Sequence, residues 1–320
     1  MKTRLNLPII TSTDDYQRHF GADVWQQAAA EICARHNIPR TSLRRSPQGE
    51  NILFFVDERL VIKIFAPFRE NYRRELAALQ FAQGKLSTKT PEIVHTGEIE
   101  NWSYLVMTQI NGHASREVWE SINVRNKVEI ISHLGVAMKE LHQAHAAPLA
   151  QSALNRDWHG FIERQARMSV ERQRACAATP EWLESLPAYI AARLELLPKV
   201  YEHVFLHGDV HAGNVLLIES SGRWQIAGLI DFGDSLCGFH EYDFVAPGVI
   251  MVQGNRELQR ALLLAYGYNE AQLDLNLRAR LMLLTVLYEC SDLRKYALRL
   301  APDAVYLTLD ELEAAIWKFA

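Results

Sequence analysis

The sequence contains few cysteines, and none of them lies close to another. The four are Cys33, Cys176, Cys237 and Cys290 in a chain of 320 residues. A disulfide framework or a structural zinc site needs cysteines at short, recognisable spacings, so this scatter argues against both. We therefore expect four reduced thiols, most of them buried.

Long apolar runs are also missing. One of the most apolar stretches, LMLLTVLY from Leu281 to Tyr288, is much too short to cross a bilayer. The N-terminal segment MKTRLNLPIITSTDD has too short an apolar run for a signal peptide. These features predict a soluble, cytoplasmic protein that does not associate with a membrane.

No block of like charge is present. The 34 basic and 38 acidic residues are well mixed and give a formal net charge of −4. A nucleic-acid partner is not expected, because binding a polyanion needs a concentrated basic surface. A cationic small molecule is compatible with this charge balance. We expect a monomer or a weak dimer.

The first part of the chain predicts a small sheet preceded by a helix. Residues 14–36 are rich in Ala, Gln and Glu and predict one helix in spite of Gly21. The runs ILFFV and LVIKIF predict a hairpin, and PEIVHTGEIENWSYLVMTQI predicts two more strands around the turn ENWS. A helix at about 70–83 lies between these pairs. We interpret 1–110 as one lobe.

The remainder, 111–320, is mostly helical and is interpreted as a second lobe. The segment VRNKVEIISHLGVAMKELHQAH predicts a strong amphipathic helix, and another is predicted from Trp182 to Leu197. Helical patterns return from Arg256 to the end of the chain. The fold class predicted for the whole chain is therefore α+β, with a β-rich lobe followed by a helical one.

One polar hairpin interrupts the helical part. The runs VLLI and WQIAGLI flank the turn ESSGR, so Asn214 and Asp231, at the open end, should lie side by side. An amide oxygen and a carboxylate there suit Mg²⁺ that carries phosphate oxygens. Asp209, one short loop earlier, can serve as a base or orient an attacking hydroxyl. The spacing D-x-x-x-x-N, a strand pair and D-F-G are typical of phosphoryl-transfer enzymes.

The segments HGDVHAGN, LIDFGDSLCG and EYDF resemble the aminoglycoside phosphotransferase family, within the protein-kinase-like superfamily. Matches to this family follow its order from about Ser42 to Phe244. The resemblance implies a two-lobed, protein-kinase-like fold whose helical lobe carries the catalytic hairpin. It implies ATP and Mg²⁺ as cofactors, with GTP left open. It makes Asp209 the catalytic residue, and Asn214 and Asp231 the metal ligands.

The resemblance also assigns a phosphate-binding cation. The strand VIKIF resembles the one that carries the ATP lysine in this fold, so Lys63 would contact the nucleotide phosphates. The helix RRELAALQ would supply Glu75 to pair with Lys63 and position it. Glu70 is the competing partner. An isolated Lys in a strand is otherwise commonly an edge residue with its head in water.

Two further nucleotide contacts follow from the same resemblance. The segment YLVMTQINGH resembles the inter-lobe hinge, whose backbone would meet adenine near Thr108, Gln109 and Ile110. The segment SPQGEN contains a single glycine, Gly49, where a full glycine-rich loop would have three. Gly49 either serves the nucleotide or only forms a turn, and both interpretations stay open.

The expected acceptor is a small, hydroxylated and cationic molecule. The chain most resembles hygromycin B phosphotransferases of the 7''-hydroxyl type in the order and residues of the segments YQRHFGADVW, YLVMTQINGH and GNRELQRALL. This resemblance implies a role in antibiotic resistance. No A-P-E motif follows D-F-G, so the chain lacks the activation segment that protein kinases use to bind a protein substrate. A small acceptor is therefore favoured. The candidate substrate-binding residues are Asp234, His211, Glu241, Glu289 and Asp292. The acidic residues of this set could instead be helix or turn caps, or solvated surface charges, which is the simpler interpretation.

Structural roles are expected for the other polar residues of these motifs. His207 can bond to the loop backbone, and His211 can brace Asp209 or touch the substrate. Asp243 is expected to anchor the loop, while His142 and His145 are expected to pack.

Three alternative functions remain open on the sequence. The first is a metabolic kinase for choline, a sugar or a similar alcohol. The second is a metal-dependent hydrolase that uses His207, Asp209 and His211, although no second ligand cluster is evident. The third is a catalytically silent nucleotide-binding module, against which the intact set of Lys, Asp, Asn and Asp argues.

Overall fold

The N-terminal part of the computed structural model is an antiparallel sheet with three helices. The structure describes residues 5–47, 49–146, 149–301, 303, 306 and 308–320. The strands of this sheet are β1 (Leu43–Arg45), β2 (Ile52–Val56), β3 (Leu60–Ile64), β4 (Ile93–Ile99) and β5 (Trp102–Thr108). The helices are α1 (Thr13–Phe20), α2 (Val24–Arg35) and α3 (Asn71–Ala82).

The five strands lie in the order β1-β2-β3-β5-β4, and every neighbouring pair is antiparallel. Tight turns join β2 to β3 and β4 to β5. Both central residues of each turn have positive φ, namely Asp57, Glu58, Glu100 and Asn101. This conformation is typical of hairpin turns whose twist matches that of the strands. Both predicted hairpins are confirmed.

The two faces of the sheet have different partners. Ile62 pairs directly with Phe54 and Val106, and all three are fully buried on the face that packs on Trp25 of α2. Because side chains alternate along a strand, Lys63 must point to the other face. The strand register therefore decides which side of the sheet carries the lysine.

The single helix predicted over 14–36 is wrong, because the chain breaks between α1 and α2 at Gly21. Tyr16 stacks on Trp102 and Trp25 packs against it edge to face, with ring centroids 6.3 and 4.5 Å away. On one continuous helix these two residues would point in nearly opposite directions, since each residue turns the helix by about 100°. The break allows both rings to reach the same partner, and this tertiary gain outweighs helix propensity.

The second part of the chain has helices arranged around two small sheets. Its strands are β6 (His113–Ala114), β7 (Val204–Leu206), β8 (Val215–Ser220), β9 (Arg223–Leu229) and β10 (Leu236–Gly238). Its α-helices are α4 (Ser115–Val118), α5 (Val124–Gln143), α6 (Trp158–Ala175), α7 (Pro180–Leu194), α8 (Arg256–Tyr266), α9 (Leu275–Leu287), α10 (Leu293–Leu300) and α11 (Leu309–Ile316). A π-helical turn occupies Pro247–Val252, and 3-10 turns occupy Trp119–Ser121, His240–Phe244 and Glu270–Gln272.

The long helix α5 confirms the amphipathic pattern and packs tightly on α8. Gly135 permits this approach, because a side chain there would meet the backbone of Leu262. The helix predicted from Trp182 to Leu197 is displaced toward the N-terminus. It begins at Pro180, after Thr179, whose hydroxyl caps it by accepting the N–H of Trp182 at 3.3 Å.

The structure bears on the expected lack of membrane-spanning helices and on the expected state of the cysteines. No helix within the described ranges is both long and apolar enough to span a membrane. All four thiols are free, but only Cys33 and Cys237 are buried. Cys176 is partly exposed and Cys290 is exposed, so the expectation that most of the thiols are buried is wrong.

Candidate active site

The loop that joins β7 to β8 is fixed to the lobe by Asp243. One carboxylate oxygen of Asp243 accepts the N–H of His207 at 2.8 Å, and the other accepts the N–H of Gly208 at 2.7 Å. The Nε2 atom of His142 lies 3.0 Å from the same carboxylate. The roles expected for Asp243 and His142 are confirmed. The packing role expected for His145 is wrong, since this residue is exposed beyond the end of α5.

His207 is a buried structural residue of this loop. Its Nδ1 atom accepts the N–H of Asp209 at 3.3 Å, and its Nε2–H donates to the carbonyl of Ile230 at 3.2 Å. Burial lowers the pKa of His207, which keeps the ring neutral. No lone pair remains for a metal ion, because one nitrogen accepts and the other donates.

The hydrolase hypothesis thereby loses one of its three proposed ligands. Across the described part of the chain, no three or more His, Cys, Asp or Glu side chains are grouped so that they could hold a metal ion. His211 does lie beside Asp209, with its Nε2 atom 3.2 Å from Oδ2. Burial lowers the pKa of His211, but the hydrogen bond and charge of Asp209 outweigh it, and the net pKa is raised. His211 braces Asp209, which is one of its two expected roles.

Asp209 has hydrogen-bond donors on both carboxylate oxygens. Its Oδ2 atom accepts from Nδ2 of Asn214 at 3.1 Å, on the same side as His211. Its Oδ1 atom accepts from the hydroxyl of Tyr288 at 3.0 Å. These contacts hold one negative charge at the open end of the hairpin, where an incoming hydroxyl could donate to it.

The hairpin brings Asn214 and Asp231 to the same end, as predicted. Val215 pairs with Leu229, and the N–H of Ile230 donates to the carbonyl of Asn214 at 3.0 Å. Asp231 follows with a φ of 65°, a left-handed conformation that Asp tolerates better than most residues. Carboxylate and amide oxygens are hard ligands, so this donor set fits Mg²⁺.

Lys63 reaches this end of the hairpin from the sheet. Its Nζ atom lies 2.6 Å from Oε2 of Glu75 and 2.8 Å from Oδ1 of Asp231. Burial would lower the pKa of Lys63, but the two carboxylates raise it overall, so the ammonium stays charged. Burial raises the pKa of Glu75 to about 7, against the opposing charge of Lys63. Glu70, the competing partner, is exposed at the start of α3.

Two backbone N–H groups of the hinge segment have partners within the protein. The N–H of Thr108 donates to the carbonyl of Glu92 at 2.9 Å, and that of Gln109 donates to Arg59 at 2.8 Å. Both amides are therefore used within the first lobe. The expectation that the backbone of Thr108, Gln109 and Ile110 meets adenine stays a prediction, and among the three amides that of Ile110 is the donor we favour.

Gly49 has a φ of 137°, which favours glycine. This observation supports the turn interpretation and does not test the nucleotide interpretation. Gln48, within the same SPQGEN segment, lies outside the described residues. Glu50, which follows Gly49, lines a cavity beside the catalytic loop.

Two cavities meet at the segment Tyr288–Cys290, next to Asp209. One has a volume of 230 Å³, and its charged lining residues are Glu50, Arg74, Arg156, Asp234 and Glu289. The other has a volume of 320 Å³, and its charged lining residues are Arg172, Asp209, Glu289, Asp292, Lys295 and Arg299. The structure thus brings three of the predicted acceptor residues, Asp234, Glu289 and Asp292, to the neighbourhood of Asp209.

The carboxyl group of Asp234 is perturbed by its surroundings. Burial, followed by the charge of Asp209, raises the pKa of Asp234 to about 6, and Arg74 opposes this shift. The Nη1 atom of Arg74 lies 3.9 Å from the Asp234 carboxylate. A cation in the cavity would relieve the repulsion between Asp234 and Asp209. Asp292 is also the N-cap of α10, accepting the N–H of Lys295 at 2.8 Å.

Glu241 is not placed to bind a substrate, which corrects the expectation. Its carboxylate is buried and accepts from Nη2 of Arg280 at 2.6 Å and from the hydroxyl of Tyr268 at 3.1 Å. It therefore has its counter-charge inside the protein. A buried ion pair cannot be distinguished from a binding carboxylate by residue type alone.

Sequence reasoning missed Tyr288 and Glu50. Tyr288 ends the apolar run LMLLTVLY, whose pattern indicates only core packing. Glu50 lies in a turn-forming segment, where acidic residues are common. Neither residue carries a local signal, because each reaches the site only through the tertiary fold.

The five-stranded lobe, the helical lobe and the hairpin with its paired polar residues define a protein-kinase-like phosphotransferase fold. Residues 43–281 match the model of the phosphotransferase enzyme family. The chain belongs to this family, and it is a phosphotransferase.

Solved structures agree on the fold. The GDP complex of aminoglycoside 2'-phosphotransferase-IIIa is 17% identical, with a TM-score of 0.70 over 90% of this chain and 98% of that one. The ADP-bound aminoglycoside phosphotransferase APH(2'')-Ib is 19% identical, with a TM-score of 0.61 over 89% of this chain and 99% of that one. Aminoglycoside phosphotransferase APH(4)-Ia is 17% identical, with a TM-score of 0.59 over 92% and 99%.

Proposed function

We propose that the protein transfers the γ-phosphate of ATP, with Mg²⁺, to a hydroxyl group of a small cationic molecule. The observation that carries this proposal is the meeting of Lys63, Asp209, Asn214 and Asp231 at one end of the hairpin. These four residues come from the sheet, the loop and both hairpin ends. Such a set supplies a cation that binds phosphate, two metal ligands and a carboxylate that orients the acceptor hydroxyl.

Each residue has a defined task in this proposal. Lys63, positioned by Glu75, binds nucleotide phosphate oxygens, and Ile110 contributes its backbone toward adenine. Asn214 and Asp231 would hold Mg²⁺, which neutralises charge on the phosphates when it is bound. Asp209 accepts a hydrogen bond from the acceptor hydroxyl and aims its oxygen at phosphorus. In a loose transition state, aiming contributes more than early removal of the proton.

An aminoglycoside or aminocyclitol is the acceptor we favour, with a hygromycin-like compound first. Its ammonium groups would lie against Asp234, Glu289 and Asp292 beside Asp209. Related folds have been solved with kanamycin, with streptomycin and ATP, and with ADP and hygromycin B. These relatives support the class of acceptor but do not distinguish the 7''-hydroxyl from other positions. Resistance, a cytoplasmic location and a monomeric or weakly dimeric state belong to the same proposal.

The test is nucleotide consumption by the purified protein with a panel of acceptors. The panel contains hygromycin B, other aminoglycosides, choline and simple sugars, each with ATP and with GTP. Asp209→Ala should abolish most turnover and leave ATP binding nearly intact, whereas Asp310→Ala, on an exposed residue of α11, should change neither. Near-normal phosphorylation by Asp209→Ala would contradict the role of this residue. Turnover with choline or a sugar alone would favour the metabolic kinase.

A further inference from the structure

Tyr288 follows α9 directly and reaches the catalytic loop from a distant part of the chain. Its hydroxyl lies 3.0 Å from Oδ1 of Asp209 and 3.1 Å from the carbonyl of Gly208. Its ring is buried and packs against Tyr242, with centroids 5.4 Å apart. Burial and the charge of Asp209 raise the pKa of Tyr288 well above its usual value, so the phenol keeps its proton.

The hydroxyl has one proton and two acceptors. The carboxylate of Asp209 is the stronger acceptor, because it carries a charge. The carbonyl of Gly208 is the alternative acceptor, and it lies on the same loop as Asp209. Tyr288 therefore acts as a rigid donor at a defined point beside Oδ1.

The donors on the other oxygen are of a different kind. His211 and Asn214 contact Oδ2, and both are close to Asp209 in sequence, His211 on the same loop and Asn214 at the start of the hairpin. Tyr288 is 79 positions further along the chain and is fixed in the core by α9. Of these three partners, Tyr288 is the one that reaches the carboxylate from the helical core rather than from the loop or the hairpin.

We propose that Tyr288 is a positioning residue that holds the Asp209 carboxylate in the orientation needed for phosphoryl transfer. The inference rests on the proposed function of Asp209. Aiming is the main contribution of such a carboxylate, and small misplacements are costly. Loss of the hydroxyl should therefore lower kcat without weakening nucleotide binding, since Tyr288 does not contact Lys63, Asn214 or Asp231 through any described hydrogen bond.

The first experiment compares Tyr288→Phe with wild type. We expect kcat to fall about 10- to 100-fold, as for loss of a hydrogen bond to a charged group, with KM for ATP little changed. The matched control is Tyr189→Phe, which removes another buried hydroxyl that donates to a carboxylate, that of Glu313 at 2.6 Å, away from the loop. The control should lose stability and keep kcat. Unchanged kcat in Tyr288→Phe overturns the proposal.

A double-mutant cycle separates positioning from a general structural effect. In an Asp209→Asn background, adding Tyr288→Phe should change the residual rate by less than about twofold, because residues that act as a unit are non-additive. A purely structural defect would lower the rate equally in both backgrounds. Persistence of the full loss in Asp209→Asn would show that Tyr288 does not act through Asp209.

A second cycle does not require an acceptor, so it distinguishes failure of this inference from failure of the proposed function. It uses Tyr288→Phe, Asp209→Ala and the double variant in urea unfolding. Coupling of about 3- to 30-fold in the unfolding equilibrium constant is expected for residues in direct contact. Coupling below about twofold overturns the inference, whether or not phosphate transfer has been detected.

Discussion

Lys63 lies between two carboxylates that come from different parts of the fold, with its Nζ atom 2.6 Å from Glu75 and 2.8 Å from Asp231. The helix α3 supplies one acid, and the end of the hairpin supplies the other. Substitution of Lys63 by Met should lower kcat/KM at least 100-fold, since a charged group that binds phosphate in a buried site contributes about this much. Glu75→Gln should cost about 10-fold, because Asp231 still contacts the lysine. Steady-state kinetics with varied ATP checks both values, and a Glu75→Gln variant as weak as Lys63→Met would contradict this division of roles.

The binding of a cationic acceptor should depend on pH through Asp234. The pKa of its carboxyl is raised to about 6, so it is neutral below that pH and negative above it. Affinity for an ammonium group should therefore rise as the pH increases through 6. Calorimetric titration of an aminoglycoside from pH 5 to 7.5 measures this rise, and Asp234→Asn should flatten it. A pH dependence that is unchanged in Asp234→Asn would remove Asp234 from the acceptor site.

Asp243 should support stability and activity together. Its two oxygens accept the amides of His207 and Gly208, and Asn could accept only one of these bonds. Asp243→Asn should therefore destabilise the fold by about 1–3 kcal/mol, with a parallel fall in kcat. Denaturant unfolding and kinetics on the same sample check this. Asp310→Asn, at a residue whose side chain is 75% exposed, is the control expected to change neither. Wild-type kcat in Asp243→Asn would mean that the loop needs no anchor.

Glu241 should contribute to the stability of the fold and not to binding of the acceptor. It is buried against Arg280, so Glu241→Gln should destabilise the protein by about 3 kcal/mol through the uncompensated guanidinium. KM for the acceptor should stay at its wild-type value at a temperature where both proteins are folded. A selective rise in this KM, without loss of stability, would restore the original substrate-binding prediction.

Gly208 should tolerate no side chain. It has a φ of 83°, and an added Cβ would clash with the backbone carbonyl of Asp234. Gly222 in the hairpin turn has a φ of 74° with open space around it, so Gly222→Ala carries only the cost of the left-handed conformation, about 1–2 kcal/mol. Gly208→Ala should cost more and should lower kcat as well. Thermal melting of the two variants side by side measures the difference, and equal losses would mean that the loop can move to accept the methyl group.

The catalytic hairpin could be predicted from sequence because its geometry is local. Asn214 and Asp231 flank two strands joined by a tight turn, and antiparallel pairing alone brings such ends together. Asp209 is separated from Asn214 by only one short loop, so its position relative to the hairpin was also constrained. The pairing of Lys63 with Glu75 required the family resemblance, since Glu70 on the same segment has the same chemistry.

Other features could not be predicted because they depend on distant partners. The break at Gly21 serves the contacts of Tyr16 and Trp25 with Trp102, and helix propensity carries no information about that ring. Whether Glu241 faces a ligand or an arginine depends on how α9 packs. Whether hinge amides are free depends on the neighbouring strands.

The sequence by itself determined the class of fold, the hairpin and the polar residues at its mouth, because turn chemistry and alternation act over a few residues. The tertiary structure alone decided which charges are neutralised inside the protein and which face the cavities. It also decided that Tyr288 meets Asp209, since two residues 79 positions apart approach only after the core has packed. Burial and long-range pairing, which no local pattern encodes, made these choices.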